Sequence, residues 1–290
     1  LATPRWTALV QGVDLHHEGV HALMQQFRFV PEARLDDLMI SYATDGGGVG
    51  PHFDRYDVFL LQAHGQRRWR IGRQKDKTLR SGLPLKILAA FEPEEEHVLE
   101  PGDMLYLPPG WAHDGIAVGE CMTYSIGFRS PNGAQLAHEV LQRMAEGAAD
   151  EEGAIYRDAQ QPAVAGPGAI PAELQDFARQ AVQRALAQPQ ALECALGEAL
   201  TEPKPNVWFE PAEAGGMLEC LTLDRRTRMM YDDKHVFING ESYRASGRDA
   251  TLMRRLADER RLEPRDLVRA SDEALELLSA WCEAGWAHAR

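Results

Sequence analysis

Three side chains have the types and spacing to hold a single metal ion: His52, Asp54 and His113. In GGGVGPHFDRYDVFLLQ the first two stand two residues apart at the mouth of a strand-like run, where positions i and i+2 face the same way. An imidazole and a carboxylate thus converge on one point. Gly46, Gly47, Gly48 and Gly50 give the backbone just ahead of them the freedom such a close approach needs. By itself H-x-D is a weak signal, because histidines and aspartates at turns are usually solvated or capping. A third ligand strengthens it. In EPGDMLYLPPGWAHDGIA, Pro101-Gly102 satisfies a type II turn, Met104 to Leu107 read as a buried strand, and the stiff Pro108-Pro109-Gly110 turn presents His113. Two histidines and one carboxylate leave three positions of an octahedral metal open, which suits non-haem Fe(II) receiving a bidentate cosubstrate and O2 side by side. Zinc more often has a fourth protein ligand or one open position.

If the cosubstrate is 2-oxoglutarate, its keto-acid end chelates the metal and its second carboxylate needs a cation deeper inside. QRRWRIG offers Arg67, Arg68 and Arg70, and strand alternation sets Arg67 with Trp69 on one face and Arg68 with Arg70 on the other. An inward Arg67 is the natural clamp; three surface arginines is the competing reading. The remaining histidines have no partner motif. His16, His17 and His21 belong to a first helix or its entry, His64 to the AHGQ turn, His97 follows the acidic run EPEEE, and His138, His235 and His288 lie in later regions.

The elements that must position this site are legible from periodicity. LMISYAT, DVFLLQ, RRWRIG, HVLEPGDMLYLPPG and CMTYSIGF read as short strands separated by Gly- or Pro-rich turns, which suggests a barrel or sandwich over residues 1–130. Ahead of them, Val20, Leu23, Met24 and Phe27 fall at helical spacing. Residues 131–205 read as a helical region: Leu136, Val140, Leu141 and Met144 share a face, and DEEGAIYRDAQQPAVAGPGAIP is a linker. A Pro-started helix with Leu174, Phe177, Ala181 and Val182 follows, and ALECALGEAL comes before the TEPKP break. Residues 206–290 contain KHVFINGESYRA, two alternating segments joined by Asn239-Gly240, the pair suited to a type I′ hairpin, and then two helical patterns. The tail therefore reads as a winged-helix-like unit.

Composition bounds what this assembly can be. With 290 residues and 44% hydrophobic content the chain can bury a substantial core, and it has no apolar run of the roughly 20 residues that a bilayer span needs. Cys121, Cys194, Cys220 and Cys282 lie far apart among apolar neighbours, which fits a reducing cytoplasm. A net charge of -13 argues against a general nucleic-acid or membrane coat. The local excess between Asp224 and Arg269, 12 Lys or Arg against 9 Asp or Glu, is better explained by a salt-bridged surface.

The runs DDLMISYATDGGGVGPHFDRYDVFLLQAHGQRRWRIG, GDMLYLPPGWAHDGIA and MTYSIGFRSP, with the linker pattern YRD and PGAIP, resemble the bacterial YcfD-type ribosomal oxygenases, JmjC-like members of the cupin superfamily. The resemblance covers most of the chain. It implies a mainly β double-stranded β-helix barrel, a helical dimerisation region after Pro131 and a C-terminal winged-helix-like domain. It also implies Fe(II) on His52, Asp54 and His113, 2-oxoglutarate on Arg67, O2 as the second cosubstrate, and a homodimer. The implied reaction is hydroxylation of an arginine side chain on a protein of the large ribosomal subunit. Family members carry a further segment ahead of the part matched, which helps build the outer sheet of the barrel. For a guanidinium substrate the candidate contacts near the mouth are Asp45, Tyr56, Asp57 and Asp114, and the acidic surface would steer a basic partner inward. Two other classes compete. A cupin-type metalloenzyme that does not use 2-oxoglutarate has no role for Arg67, and a ligand-sensing regulator with a DNA-reading tail requires salt-sensitive duplex binding.

Overall fold

The computed structural model describes residues 5–149, 153–212 and 219–289, in two compact units, 1–130 and 131–290. In the first, strands β1 (Thr7–Val10), β2 (Leu35–Ala43), β3 (His52–Phe53), β4 (Val58–Arg73), β5 (Glu95–Leu99), β6 (Met104–Leu107) and β7 (Trp111–Phe128) form one antiparallel sheet. Its order is β1-β2-β7-β4-β5, with β3 added on β7 and β6 on β4. The 16-residue β4 and 18-residue β7 are several times the common strand length, and each serves two halves of the barrel. The first half of β7 pairs with β3 and the end of β4; its second half pairs with β2 and the start of β4.

The bend between these halves has a local cause. Register shifts flank His64, and Gly65 sits at φ +61° with the carbonyl oxygen of Glu120 only 2.0 Å from where a Cβ would stand. Only glycine fits that corner. Alternation then sorts the side chains. Val58, Leu60, Trp69 and Ile71 pack with Leu107 on one face. On the opposite face, Phe59, Leu61, Tyr124, Ile126 and Phe128 receive helix α1 (Glu18–Gln25) through Val20, Met24 and Phe27. Each such buried side chain contributes roughly 1.5–3 kcal/mol of transfer free energy. The helix begins at His17, whose Nδ1 accepts the Val20 N–H.

One expectation needs correcting here. Met104 to Leu107 do form a strand, but Met104 and Tyr106 are 45% and 48% exposed and only Leu107 is fully buried. An apolar run does not reveal which of its two faces is covered. Of the four cysteines, all free, Cys121 is buried and the others are half-buried.

The second unit contains α2 (Gly133–Ala149), α3 (Ala172–Leu186), α4 (Ala191–Thr201), β8 (Leu221–Leu223), β9 (Met229–Tyr231), β10 (His235–Ile238) and β11 (Glu241–Arg244). It continues with α5 (Gly247–Glu259), β12 (Arg261–Leu262), α6 (Pro264–Leu267), α7 (Asp272–Glu283) and β13 (Ala287–Ala289). The sheets run β11-β10-β9 and β12-β8-β13. Asn239 and Gly240 both take positive φ, 48° and 89°, as a type I′ turn requires. Leu221, Ile238, Leu256, Leu262, Leu278 and Trp281 anchor one apolar core.

Helix α4 packs on the hairpin that follows the TEPKP break. Gly197 lies against the Phe237 ring, and Thr201 Oγ1 accepts the Gly240 N–H at 3.1 Å. The break therefore turns the chain without ending the packing. Part of the linker, Asp150–Glu152, lies outside the described residues; residues 153–171 contain no helix or strand. On α2, Val140 is buried but Leu141 faces solvent, so the expected apolar face is narrower than the sequence suggests, and α3 buries none of its residues. Among the described residues no helix is long and apolar enough to cross a membrane.

Candidate metal centre

The structure brings His52, Asp54 and His113 together, with ligand atoms all within 4.8 Å of one another; among the described residues no other such group of His, Cys, Asp or Glu side chains occurs. Strand pairing does most of the positioning, since His52 and His113 are direct partners across β3 and β7 and their ring centroids lie 4.3 Å apart. Asp54 follows just beyond β3, where its carbonyl accepts the N–H of Gly110, 2.7 Å away, from the Pro-Pro-Gly turn that leads to His113.

The electrostatics favour a cation. His52 Nδ1 is 2.8 Å from the Gly50 carbonyl and His113 Nδ1 is 3.2 Å from the Trp111 carbonyl. A carbonyl only accepts, so the proton sits on Nδ1 in both rings and the Nε2 lone pairs are left for a metal. Burial, helped by the neighbouring His52, pushes the His113 pKa down to about 4. His113 is thus neutral near pH 7. Its Nε2, 3.6 Å from Asp54 Oδ2, forms with that carboxylate a place for a positive ion rather than an ion pair.

The same inner face carries the cosubstrate candidate. Arg67 is 4% exposed, Arg68 is exposed, and Trp69 is buried, so the alternation expected from QRRWRIG is present. Arg67 Nη1 donates to Ser41 Oγ at 3.2 Å, while its Nε and Nη2 have no partner among the described residues. Burying such donors unpaired is costly, and two adjacent N–H groups of a guanidinium match the two oxygens of one carboxylate. The donor set therefore fits 2-oxoglutarate: a facial metal triad for the keto acid and a waiting fork for the far carboxylate.

Sequence reasoning missed Ser41, and with it a polar layer in which Ser41 Oγ donates to the Thr123 carbonyl and Thr123 Oγ1 donates to Gln62 Oε1 at 3.0 Å. Alternation in LMISYAT marks Ser41 as inward, which was the available signal.

The four candidate substrate contacts have different surroundings. Asp45 is exposed and accepts the Gly119 N–H at 2.8 Å. Asp57 is engaged by Arg34 Nη2 at 2.9 Å and by the Tyr106 hydroxyl at 2.7 Å. Asp114 is buried and paired with Arg70 across the strands, on the face opposite His113. Tyr56 keeps a partly exposed ring, while burial of its hydroxyl and the adjacent Asp54 carboxylate push its pKa up. Only Tyr56 touches a residue of the triad.

Comparison with known proteins agrees with this geometry. Residues 22–136 match the JmjC domain family, and residues 183–288 match the ROXA-like winged helix family. The crystal structure of Escherichia coli YcfD covers all of this chain and 80% of its own, at 31% identity and a TM-score of 0.84. This chain belongs to the YcfD-type ribosomal oxygenase family. Its curated relatives include the Escherichia coli ribosomal protein uL16 3-hydroxylase, 39% identical over 220 residues, which are 73% of this chain and 57% of that protein. They also include a probable ribosomal oxygenase of Haemophilus influenzae, 40% identical over 132 residues, 44% of this chain and 32% of that protein. The chain thus spans little more than half the length of the first of these ribosomal oxygenases. Another YcfD structure, with cobalt and 2-oxoglutarate, covers 99% of this chain and 79% of its own at 31% identity and a TM-score of 0.79.

Proposed function

We propose that this chain is an Fe(II)- and 2-oxoglutarate-dependent oxygenase that hydroxylates an arginine side chain of a large-subunit ribosomal protein. The carrying observation is the pairing, on one inner barrel face, of the His52, Asp54 and His113 triad with the two unpartnered N–H groups of Arg67. When bound, Fe(II) supplies the redox chemistry that couples decarboxylation of 2-oxoglutarate to insertion of one oxygen atom into a C–H bond. The chain's own residues position and exclude. His52, Asp54 and His113 would hold the metal, Arg67 would fix the far carboxylate with Ser41 steadying the guanidinium, and Leu60, Leu107 and Trp69 keep the interior dry. A metalloenzyme that does not use 2-oxoglutarate leaves the Arg67 fork without a purpose.

A basic ribosomal protein suits a chain of net charge -13, and the relative that acts on uL16 supports that substrate class. Tyr56, beside the metal ligand Asp54, is the best placed of the candidate substrate contacts; Asp45 is exposed and follows, whereas Asp57 and Asp114 already hold cations of this chain. The enzyme works in the cytoplasm as a homodimer, joined through helices whose Leu141, Leu174, Val182 and Leu186 face outward.

Succinate formation from 2-oxoglutarate under Fe(II) and O2, with arginine-containing ribosomal-protein peptides, tests the reading. Turnover that requires a peptide, disappears in His52→Ala and adds the mass of one oxygen atom to that peptide is expected. Failure of the protein to bind 2-oxoglutarate would sink it.

A further inference from the structure

Beyond the triad and Arg67, one more group on the inner face has no partner. Trp69 is 5% exposed, and its indole Nε1–H is buried without a hydrogen-bond acceptor among the described residues. The ring lies between the two groups that bracket the cosubstrate: its centroid is 5.9 Å from that of His113 and 5.6 Å from the guanidinium carbon of Arg67. Its orientation is fixed by β7. A Cβ at Gly115 would meet Cζ3, Cη2 and Cε3 of the indole at 2.6 to 2.9 Å, so the benzo edge rests on a strand that must be glycine there. That edge is the one remote from Nε1, so the contact with Gly115 does not occupy the N–H. Buried tryptophan N–H groups in folded proteins nearly always find an acceptor, and none is supplied here by the surrounding Leu60, Ile71 and Leu107.

We propose that Trp69 is a cosubstrate-positioning residue whose indole N–H donates to the metal-end carboxylate of 2-oxoglutarate. The inference rests on the proposed use of that cosubstrate and adds a third contact to it. The division of labour follows from counting donors. Arg67 Nε and Nη2 match both oxygens of the far carboxylate, while the metal-end carboxylate has an oxygen left over after chelation and lies on the His113 side of the ring. A neutral donor at that oxygen orients the keto acid without adding a charge to the metal's surroundings.

The test uses the whole chain loaded with diamagnetic Zn(II) and labelled with 15N. The Trp69 indole resonance is assigned by its absence in Trp69→Phe and, independently, by its through-space contacts to Gly115. It is followed during titration with 2-oxoglutarate and with oxalate, a chelator that lacks the far carboxylate, while calorimetry on the same samples reports binding. A downfield move of the indole proton with both ligands is expected, together with a Kd for each weakened about tenfold in Trp69→Phe, the scale of one hydrogen bond to a charged acceptor. Binding of both ligands with an unmoved resonance overturns the role of Trp69 and leaves the Arg67 clamp standing. A move with 2-oxoglutarate alone overturns the metal-end placement and puts the donor on the far carboxylate. Absence of 2-oxoglutarate binding overturns the cosubstrate reading and this inference with it.

Discussion

Arg67 in the barrel and Arg260 in the C-terminal unit are both nearly fully buried, at 4% and 8% exposure, and their surroundings treat them differently. Arg260 is closed off by its own chain, with Nη1 on the Thr227 carbonyl at 3.0 Å and Nη2 on the Asp224 carbonyl at 2.7 Å. Arg67 makes one hydrogen bond, to Ser41, and its Nε and Nη2 make none among the described residues. The tryptophans repeat the pattern in part. Trp281 is as buried, but its indole N–H has the Tyr243 hydroxyl beside it and its ring meets Tyr243 edge-on within an apolar core, whereas Trp69 faces His113 and a guanidinium. A buried cation that its own fold completes is architecture, and one that the fold leaves incomplete has donors to offer a ligand.

The largest expected effect breaks the barrel's side of this comparison outright. Alanine at His52, Asp54 or His113 should reduce succinate formation to background while circular dichroism stays that of the parent, because the two histidines lie on strands paired through the main chain and Asp54 is tied to Gly110 through its carbonyl. The near-isosteric Arg67→Met should weaken 2-oxoglutarate binding at least about a hundredfold. The same change should raise the stability of the metal-free barrel by about 1–3 kcal/mol in urea unfolding, since it removes an uncompensated buried charge. Arg260→Met should do the reverse, lowering stability by about 1–3 kcal/mol, as the Thr227 carbonyl loses its donor and the Asp224 carbonyl keeps only the Thr227 N–H. Equal signs for the two variants would end the contrast.

A smaller effect tests the C-terminal unit by pH. Burial alone would raise the Asp224 pKa, but the side-chain and backbone donors of Arg226, joined by His288, outweigh it and bring it down to about 2. The folded value lies below the unfolded one, so the stabilisation is complete above about pH 4 and is lost as pH falls toward 2. Its size is about 2 kcal/mol. Urea midpoints taken across that window should slope in the parent and flatten in Asp224→Asn. Smallest of all, Gly240→Ala should cost about 1–2 kcal/mol, the penalty of a side chain at φ +89° in the hairpin turn, read as a lowered thermal midpoint.

Much of this was visible in the residues. H-x-D beside glycines, the Pro-Pro-Gly turn before His113, the alternation of Arg67 and Trp69, and Asn239-Gly240 each encode geometry within a few positions, and local rules reach that far. Ser41 and the Gln62–Thr123 layer were hidden, because an inward serine on an alternating strand looks the same whether it packs or holds an arginine. The sheet of β8, β12 and β13 was hidden for another reason: its two- and three-residue strands come from 221–223, 261–262 and 287–289, too short for a period and too distant for a turn signal. The exposed side of β6 could not be foreseen, since composition does not say what covers a strand.

The backbone bonds at the metal centre have a thermodynamic corollary. His52 and His113 are set opposite each other by β-pairing, and Asp54 is tied through its carbonyl to Gly110, so the ligand geometry is specified before any ion arrives. Small zinc modules gain their fold from the metal. Here an ion would act as a linked ligand: at a free concentration a hundredfold above its Kd it would add about 2.7 kcal/mol to the unfolding free energy of the barrel, and chelation should withdraw that increment without erasing secondary structure. Metal exchange is then expected to be a reversible adjustment of stability, with the protein emptied and refilled while folded.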